Sequence, residues 1–117
     1  MIYGIGIDIV DVERFRAASF RRGEGFLKRL FTENELGYCR RKRFPERHLA
    51  ARFAAKVSLF KAIGRFKRFK DVEVMRAKSG RPFFRVSTEA EGAFRYSLSI
   101  SHTDKYGVAE TMVEKDI

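Results

Sequence analysis

In the segment Tyr3-Gly-Ile-Gly-Ile-Asp-Ile-Val10 a single carboxylate, that of Asp8, stands among glycines and branched aliphatic side chains. A charge in such company is costly to bury unless it is paired or bound to a cation. Asp8 is therefore read either as half of a salt bridge, for which arginines are plentiful, or as a metal ligand. Gly4-x-Gly6 lacks the third glycine and the following helix start of a dinucleotide fingerprint. Its glycines are read instead as space through which a ligand approaches the backbone beside Asp8. Further along, His48, Arg52 and Lys56 recur every four residues, which on a helix stacks them in one row, while Val57 and Lys61 form a second row on a separate face. The first row has the composition of a phosphate clamp, with Arg offering a bidentate fork and Lys a point charge, and equally that of a solvated helix face. His102 closes Ser99-Ile-Ser-His102 and is suited to donate to a phosphate or to exchange a proton, or simply to face water.

The distribution of charge favours an anionic partner. The net charge is +10, and Leu36 to Lys70 holds twelve Lys or Arg against one acid, Glu46, which leaves the remainder slightly negative. So one-sided a segment raises the local potential and draws nucleic acid, an acidic protein, a phosphate-rich small molecule or an anionic surface. The length, 117 residues, fits one domain, 1–117, and with 44% apolar residues wholesale disorder is not expected. No apolar run approaches the roughly 20 residues of a membrane span, and Met1 to Val10 lacks a basic leader. The expectation is a soluble, unexported, cytoplasmic chain without membrane contact. The single Cys39 permits no internal disulfide and no CxxC pair.

The elements that must position these residues follow from periodicity. Residues 3–10 alternate and read as a strand, with Asp8 projecting from the glycine face. Asp11 is a candidate N-cap for a helix over Val12 to Phe20, broken at Gly23 and Gly25, with a second short helix through Leu30. Thr32-Glu-Asn-Glu35 is a capping-box signature for a helix to about Arg41. Pro45 opens a longer helix that stops at Gly64, with Leu49, Phe53, Val57 and Phe60 expected toward the core. Asp71 to Ala77 and Phe83 to Ser87 read as strands joined across Lys78 to Pro82, and Thr88 to Glu91 as a second capping box before a helix to about Phe94. Tyr96 to His102 and Tyr106 to Glu114 close the chain as two strands. The predicted class is α+β, a mainly antiparallel sheet packed against one long helix and several short ones.

Five segments, Gly4 to Val10 with Glu13-Arg14, Phe31-Thr-Glu-x-Glu35, Arg52-Phe-Ala-Ala-Lys56 with Lys61-Ala-Ile-Gly64, Ser79-Gly-Arg-Pro82 and Leu98-Ser-Ile-Ser-His102, run in the order found in a known family. The chain resembles the holo-acyl-carrier-protein synthases, the small phosphopantetheinyl transferases. The resemblance implies transfer of the phosphopantetheine arm of coenzyme A to a serine of apo acyl carrier protein, with release of adenosine 3′,5′-bisphosphate. It also implies Mg²⁺ and a homotrimer with active sites between subunits. Carried onto this chain, it implies Asp8 as the metal ligand and Lys61 on the pyrophosphate. Arg52 and His102, with Ser101, would hold nucleotide phosphates, and Gly80, Arg81 and Pro82 would lie near the adenine. Arg14, Arg21 and Arg22 would face the acidic carrier protein.

One position departs from the family pattern. The residue after Ala-Ala-Lys56 is a metal-binding glutamate in the family and Val57 here. Water or another acid, Glu35 or Asp104, is a candidate to fill the vacancy, and three readings follow: the enzyme works with Asp8, pyrophosphate and waters as the metal shell, it is impaired or altered at this position, or it is a relative that binds coenzyme A without turning it over efficiently. The first of these is preferred. Candidates for the general base are Glu35, His102 and a metal-organised water. The competing class is a small basic module that binds RNA through Arg40 to Arg43 and Lys67 to Lys70, with Phe44, Phe66 and Phe69 stacking on bases, but no RNP, KH or zinc-knuckle pattern accompanies it. A third class is an assembly protein whose basic face meets an acidic neighbour.

Overall fold

The structure, a computed structural model, describes residues 1–65, 68–87 and 94–116. Its order is β1 (Ile2–Asp11), α1 (Val12–Arg22), α2 (Glu24–Leu30), α3 (Glu33–Arg40), α4 (Pro45–Ile63), a 3-10 turn (Phe69–Asp71), β2 (Val72–Arg76), β3 (Pro82–Val86), β4 (Phe94–His102) and β5 (Tyr106–Lys115). The α+β class expected from the sequence holds, with the strands divided into an antiparallel sheet β1-β5-β4 and a separate hairpin β2-β3. The expected capping box at Thr88 to Glu91, and Phe66 and Lys67, lie outside the described residues.

Each helix begins and ends where its local chemistry dictates. Asp11 Oδ1 accepts from the Arg14 amide at 2.9 Å and starts α1, and Gly23 at φ +84° ends it. Thr32 and Glu35 exchange both bonds of the capping box at the head of α3. Pro45 occupies the first turn of α4, and Gly64 stops it in the left-handed region.

The glycines of β1 serve a different purpose from the one expected. A Cβ at Gly4 would lie 1.9 Å from the Ala62 carbonyl oxygen, and one at Gly6 would lie 1.9 Å from that of Ser58. The glycine face is therefore filled by the backbone of α4, not left open for a ligand. Gly107 on β5 does the same, since its Cβ would meet the Ala51 nitrogen at 2.8 Å. Ala51, Ser58 and Ala62 form the small-residue stripe on which the sheet rests. α4 is buried on nearly every side. Ala54, Ala55, Leu59, Phe60 and Ile63 join Val72, Val74, Phe84, Leu98 and Val113 in one core cluster. Leu49 and Ala50 join Val12, Phe15, Leu30, Phe31 and Leu36 in a second. Leu49 and Phe60 are core residues as expected, while Phe53 and Val57 are only half-buried.

Lys56 locks these layers together. Fully buried, its ammonium donates to Leu30 O at 2.8 Å, Glu35 Oε1 at 2.7 Å and Phe69 O at 3.0 Å. Glu35 in turn accepts from the Val74 amide at 2.7 Å and the Thr32 amide at 2.8 Å. Burial pushes the Lys56 pKa down, and the Glu35 charge pulls it partly back. With all three protons committed, Lys56 cannot join the phosphate clamp that its spacing suggested. Glu35 is equally committed, so it neither fills a metal shell nor serves as a general base. Phe69 is likewise unavailable for base stacking, because it stacks on Phe53 at 5.4 Å and meets Phe60 edge-on.

Among the described residues no helix covers the opposite face of the sheet. Ile5, Ile7 and Ile9 are 61%, 57% and 63% exposed there. Register aligns them with Met112, Glu110 and Val108 of β5 and with Ser97, Ser99 and Ser101 of β4.

Candidate functional site

The inner face of β1 emerges from under α4 at Asp8, one step beyond the Gly4 and Gly6 contacts. Lys61, on the turn of α4 above it, donates to Ile7 O at 3.0 Å and Asp8 Oδ1 at 3.3 Å. The Asp8 side chain is 17% exposed and that of Lys61 55%, so the pair sits at a mouth and not in the core. The expected salt bridge of Asp8 thus exists, with a lysine as its partner.

This mouth opens into a groove of about 630 Å³ between β1, α1 and α4. Asp8, Asp11, Arg14 and Arg21 supply its charges, and Phe15, Phe26, Phe53 and Val57 its apolar walls. Val57 precedes Lys61 by one helical turn, so position 57 is a wall of the same groove as Asp8. Arg22, at the end of α1, is exposed with its guanidinium 5.3 Å over the Phe26 ring. The groove thus presents one paired carboxylate beside an ammonium and two guanidinium groups, a setting suited to a diphosphate approaching over an apolar floor.

Arg52 and His102 belong to a different place. Lys61 follows Arg52 by nine residues, about two and a half helical turns, which sets the two on opposite faces of α4. Arg52 is 2% exposed, and its guanidinium lies 4.1 Å above the Tyr38 ring. Its Nε is buried without a hydrogen-bond partner among the described residues. Arg52, Tyr38, Arg41 and Arg76 line a second cavity of about 310 Å³. One turn away, His48 meets His102 with ring centroids 4.6 Å apart. Burial first, then His102, Arg52, Lys42 and Arg76, lower the His48 pKa to about 4. Burial alone would raise the Tyr38 phenol, but Arg76, Arg52 and Lys42 together outweigh it and hold it below its ordinary value.

The hairpin turn adjoins this second cavity through Arg76, whose guanidinium donates to Gly80 O at 2.6 Å. Gly80 adopts φ +90°, which keeps the turn tight, and the Ala77 amide closes it on Arg81 O at 2.9 Å, with Pro82 starting β3. Ser101 lies on the outer, isoleucine-bearing face of the sheet, opposite in direction to His102. Tyr38 and Arg76 were not singled out as site residues from sequence, and His48 entered only as the first member of the row read as a phosphate clamp. Only the basic row around His48 carried a signal, since Tyr38 and Arg76 reach the cavity through contacts between distant elements.

Comparison with known proteins shows what the chain as a whole resembles. A model of the 4′-phosphopantetheinyl transferase superfamily matches residues 4–110. The chain is 40% identical to a holo-[acyl-carrier-protein] synthase of Halothermothrix orenii, over 98% of this chain and 99% of the relative. It resembles the crystal structure of a holo-(acyl-carrier-protein) synthase from Bacillus anthracis in complex with CoA (3′,5′-ADP), with a TM-score of 0.86, 33% identity and 99% of each chain covered. A Helicobacter pylori holo-[acyl-carrier-protein] synthase in complex with coenzyme A is similar at a TM-score of 0.83 and 29% identity, over 94% of this chain and 99% of that one.

Proposed function

Because the chain belongs to the 4′-phosphopantetheinyl transferase superfamily, we propose that it moves the 4′-phosphopantetheine arm of coenzyme A to a serine of apo acyl carrier protein. Adenosine 3′,5′-bisphosphate is released. The serine oxygen forms a bond to the phosphorus that bears the pantetheine, the bridging P–O bond breaks, and the serine proton passes to solvent. The observation that carries the proposal is the Asp8–Lys61 pair at the mouth of a basic-rimmed groove, in a chain that is similar along its whole length to holo-acyl-carrier-protein synthases.

Lys61 holds the diphosphate and offsets charge that builds on its oxygens as the bridge breaks. Arg14 and Arg21 on the groove wall, with Arg22 beside it, attract the acidic carrier protein and orient its serine toward Asp8. The donor set suits Mg²⁺, a hard cation that takes one or two carboxylates together with phosphate oxygens and water. Asp8 would hold it, and when bound it would supply electrostatic stabilisation of the departing phosphate. Arg52, with its uncommitted Nε, holds a nucleotide phosphate, aided by His102, while Gly80, Arg81 and Pro82 border the adenine; Ser101, on the other face of the sheet from His102, does not share this pocket.

A homotrimer completes the proposal. Arg52 and Lys61 lie on opposite faces of α4, which favours one nucleotide bridging the groove of one protomer and the second cavity of its neighbour. The exposed Ile5, Ile7 and Ile9 stripe gives the copies an apolar surface to bury. The enzyme is proposed to act in the cytoplasm, where coenzyme A and the carrier protein meet. Among the described residues no helix is long and apolar enough to cross a membrane.

Incubation with coenzyme A, Mg²⁺ and an apo carrier protein, followed by intact-mass analysis of the carrier, tests the reading. The expected result is a gain of one phosphopantetheine arm, slowed at least about 100-fold by Asp8→Asn. No gain, together with salt-sensitive binding of single-stranded RNA, would instead support the basic binding module.

A further inference from the structure

Among the described residues the groove holds too few carboxylates to retain a divalent cation on its own: they are Asp8 and Asp11. They stand three residues apart on β1, roughly 10 Å along an extended strand and on opposite faces. Asp11 is also committed to capping α1 through the Arg14 amide at 2.9 Å. Mg²⁺ needs ligands at about 2.0–2.1 Å in near-octahedral order and gives up water reluctantly, so it cannot span the two. The facing wall is Val57, which offers no oxygen. Among the described residues there is no group of three or more His, Cys, Asp or Glu placed to hold a metal ion.

The one remaining carboxylate is already engaged. Asp8 Oδ1 accepts from Lys61 at 3.3 Å, so the pair is close to neutral, and Arg14 and Arg21 outnumber Asp11 on the same walls, which leaves the bare groove net positive toward a dication. A diphosphate reverses each of these conditions. Its oxygens give Lys61 a new acceptor and free Asp8, its charge offsets the two arginines, and it brings metal ligands of its own.

We infer that this chain does not hold its divalent cation in advance: cation and diphosphate enter as coupled ligands, with Val57 keeping the bare groove a one-carboxylate site. The inference rests on the transferase reading above, because it needs a diphosphate in the groove. Coupling of this kind is reciprocal, so the cation must strengthen coenzyme A binding by the same factor that coenzyme A strengthens the cation's.

Mn²⁺, read by electron paramagnetic resonance as a probe for Mg²⁺, tests it on the full chain with and without coenzyme A. Wild-type protein is expected to bind Mn²⁺ at least about 10-fold more tightly with coenzyme A present. Asp8→Asn with coenzyme A should fall back to the affinity of coenzyme A alone. Val57→Glu should raise affinity for Mn²⁺ without coenzyme A at least about 10-fold. Equal Mn²⁺ affinity with and without coenzyme A, or a Val57→Glu protein whose unliganded affinity is unchanged, would overturn the inference. Intact-mass assay of the same samples separates the two readings. Carrier modification alongside equal Mn²⁺ affinities removes only the coupled entry, whereas no modification at any Mn²⁺ concentration removes the transferase reading and the inference with it.

Discussion

At the scale of single residues, the protein separates charges that hold the fold from charges that are free for chemistry. Lys56 and Glu35 are the first kind. Lys56→Met strands a buried carboxylate and should cost about 3–5 kcal/mol in denaturant unfolding, whereas Lys56→Met combined with Glu35→Leu should cost less than the sum of the single changes. His48 makes a second, pH-dependent prediction. Its pKa is lowered from 6.5 to about 4 in the folded chain, so the unfolded chain takes up more protons between those values. Stability from this group is therefore complete above pH 6.5 and is lost as the pH falls toward 4. The loss should reach roughly 2 kcal/mol, less than the full displacement implies because the ring is only partly buried. Thermal melts across that range should show a shallower decline in His48→Phe. The distinction between Lys56 and Lys61 was not legible in the sequence, where both are lysines of one basic helix. Only the carbonyls of Leu30 and Phe69, brought in from other elements, reveal which one is spent.

At the scale of elements, α4 is the piece against which everything else is set, and its contact with β1 depends on missing side chains. Gly6→Ala would drive a methyl group into the Ser58 carbonyl, which a backbone oxygen cannot evade. Roughly 3 kcal/mol of destabilisation is expected, readable as a lower urea midpoint. Asp8 and Lys61 should lose their register at the same time, so transfer should weaken in protein that remains folded. The strand and helix limits were largely readable beforehand, since caps, Pro45, Gly64 and strand alternation are local signals. The use of Gly4 and Gly6 was not, because a glycine that admits a helix and one that admits a ligand look alike in a linear chain.

At the scale of the whole molecule, a protomer exposing Ile5, Ile7 and Ile9 on one sheet face is suited to a partner that covers them. Ile7→Glu puts a carboxylate opposite Glu110 on that face, where it repels in the protomer only weakly but is costly once buried between copies. If the copies pack through this face as proposed, sedimentation should then show monomers with unchanged circular dichroism, and transfer should fall with the loss of the proposed trimer. Retention of both the assembly and the activity would place the contact elsewhere.

What the sequence determined alone were the short-range facts: element types and ends, the isolated carboxylate at Asp8, the basic stretch through α4, and the likeness to a family of transferases. All of these depend on neighbours within a few residues or on order along the chain. The tertiary structure decided which charges are available. It seated Lys56 in the core and Lys61 at the groove, put Val57 on the wall beside Asp8, and sent Arg52 to the far face of the same helix. The reason is physical: whether a polar group is spent or free depends on the atoms that reach it through space, and at these positions the decisive atoms come from elements far away in the chain.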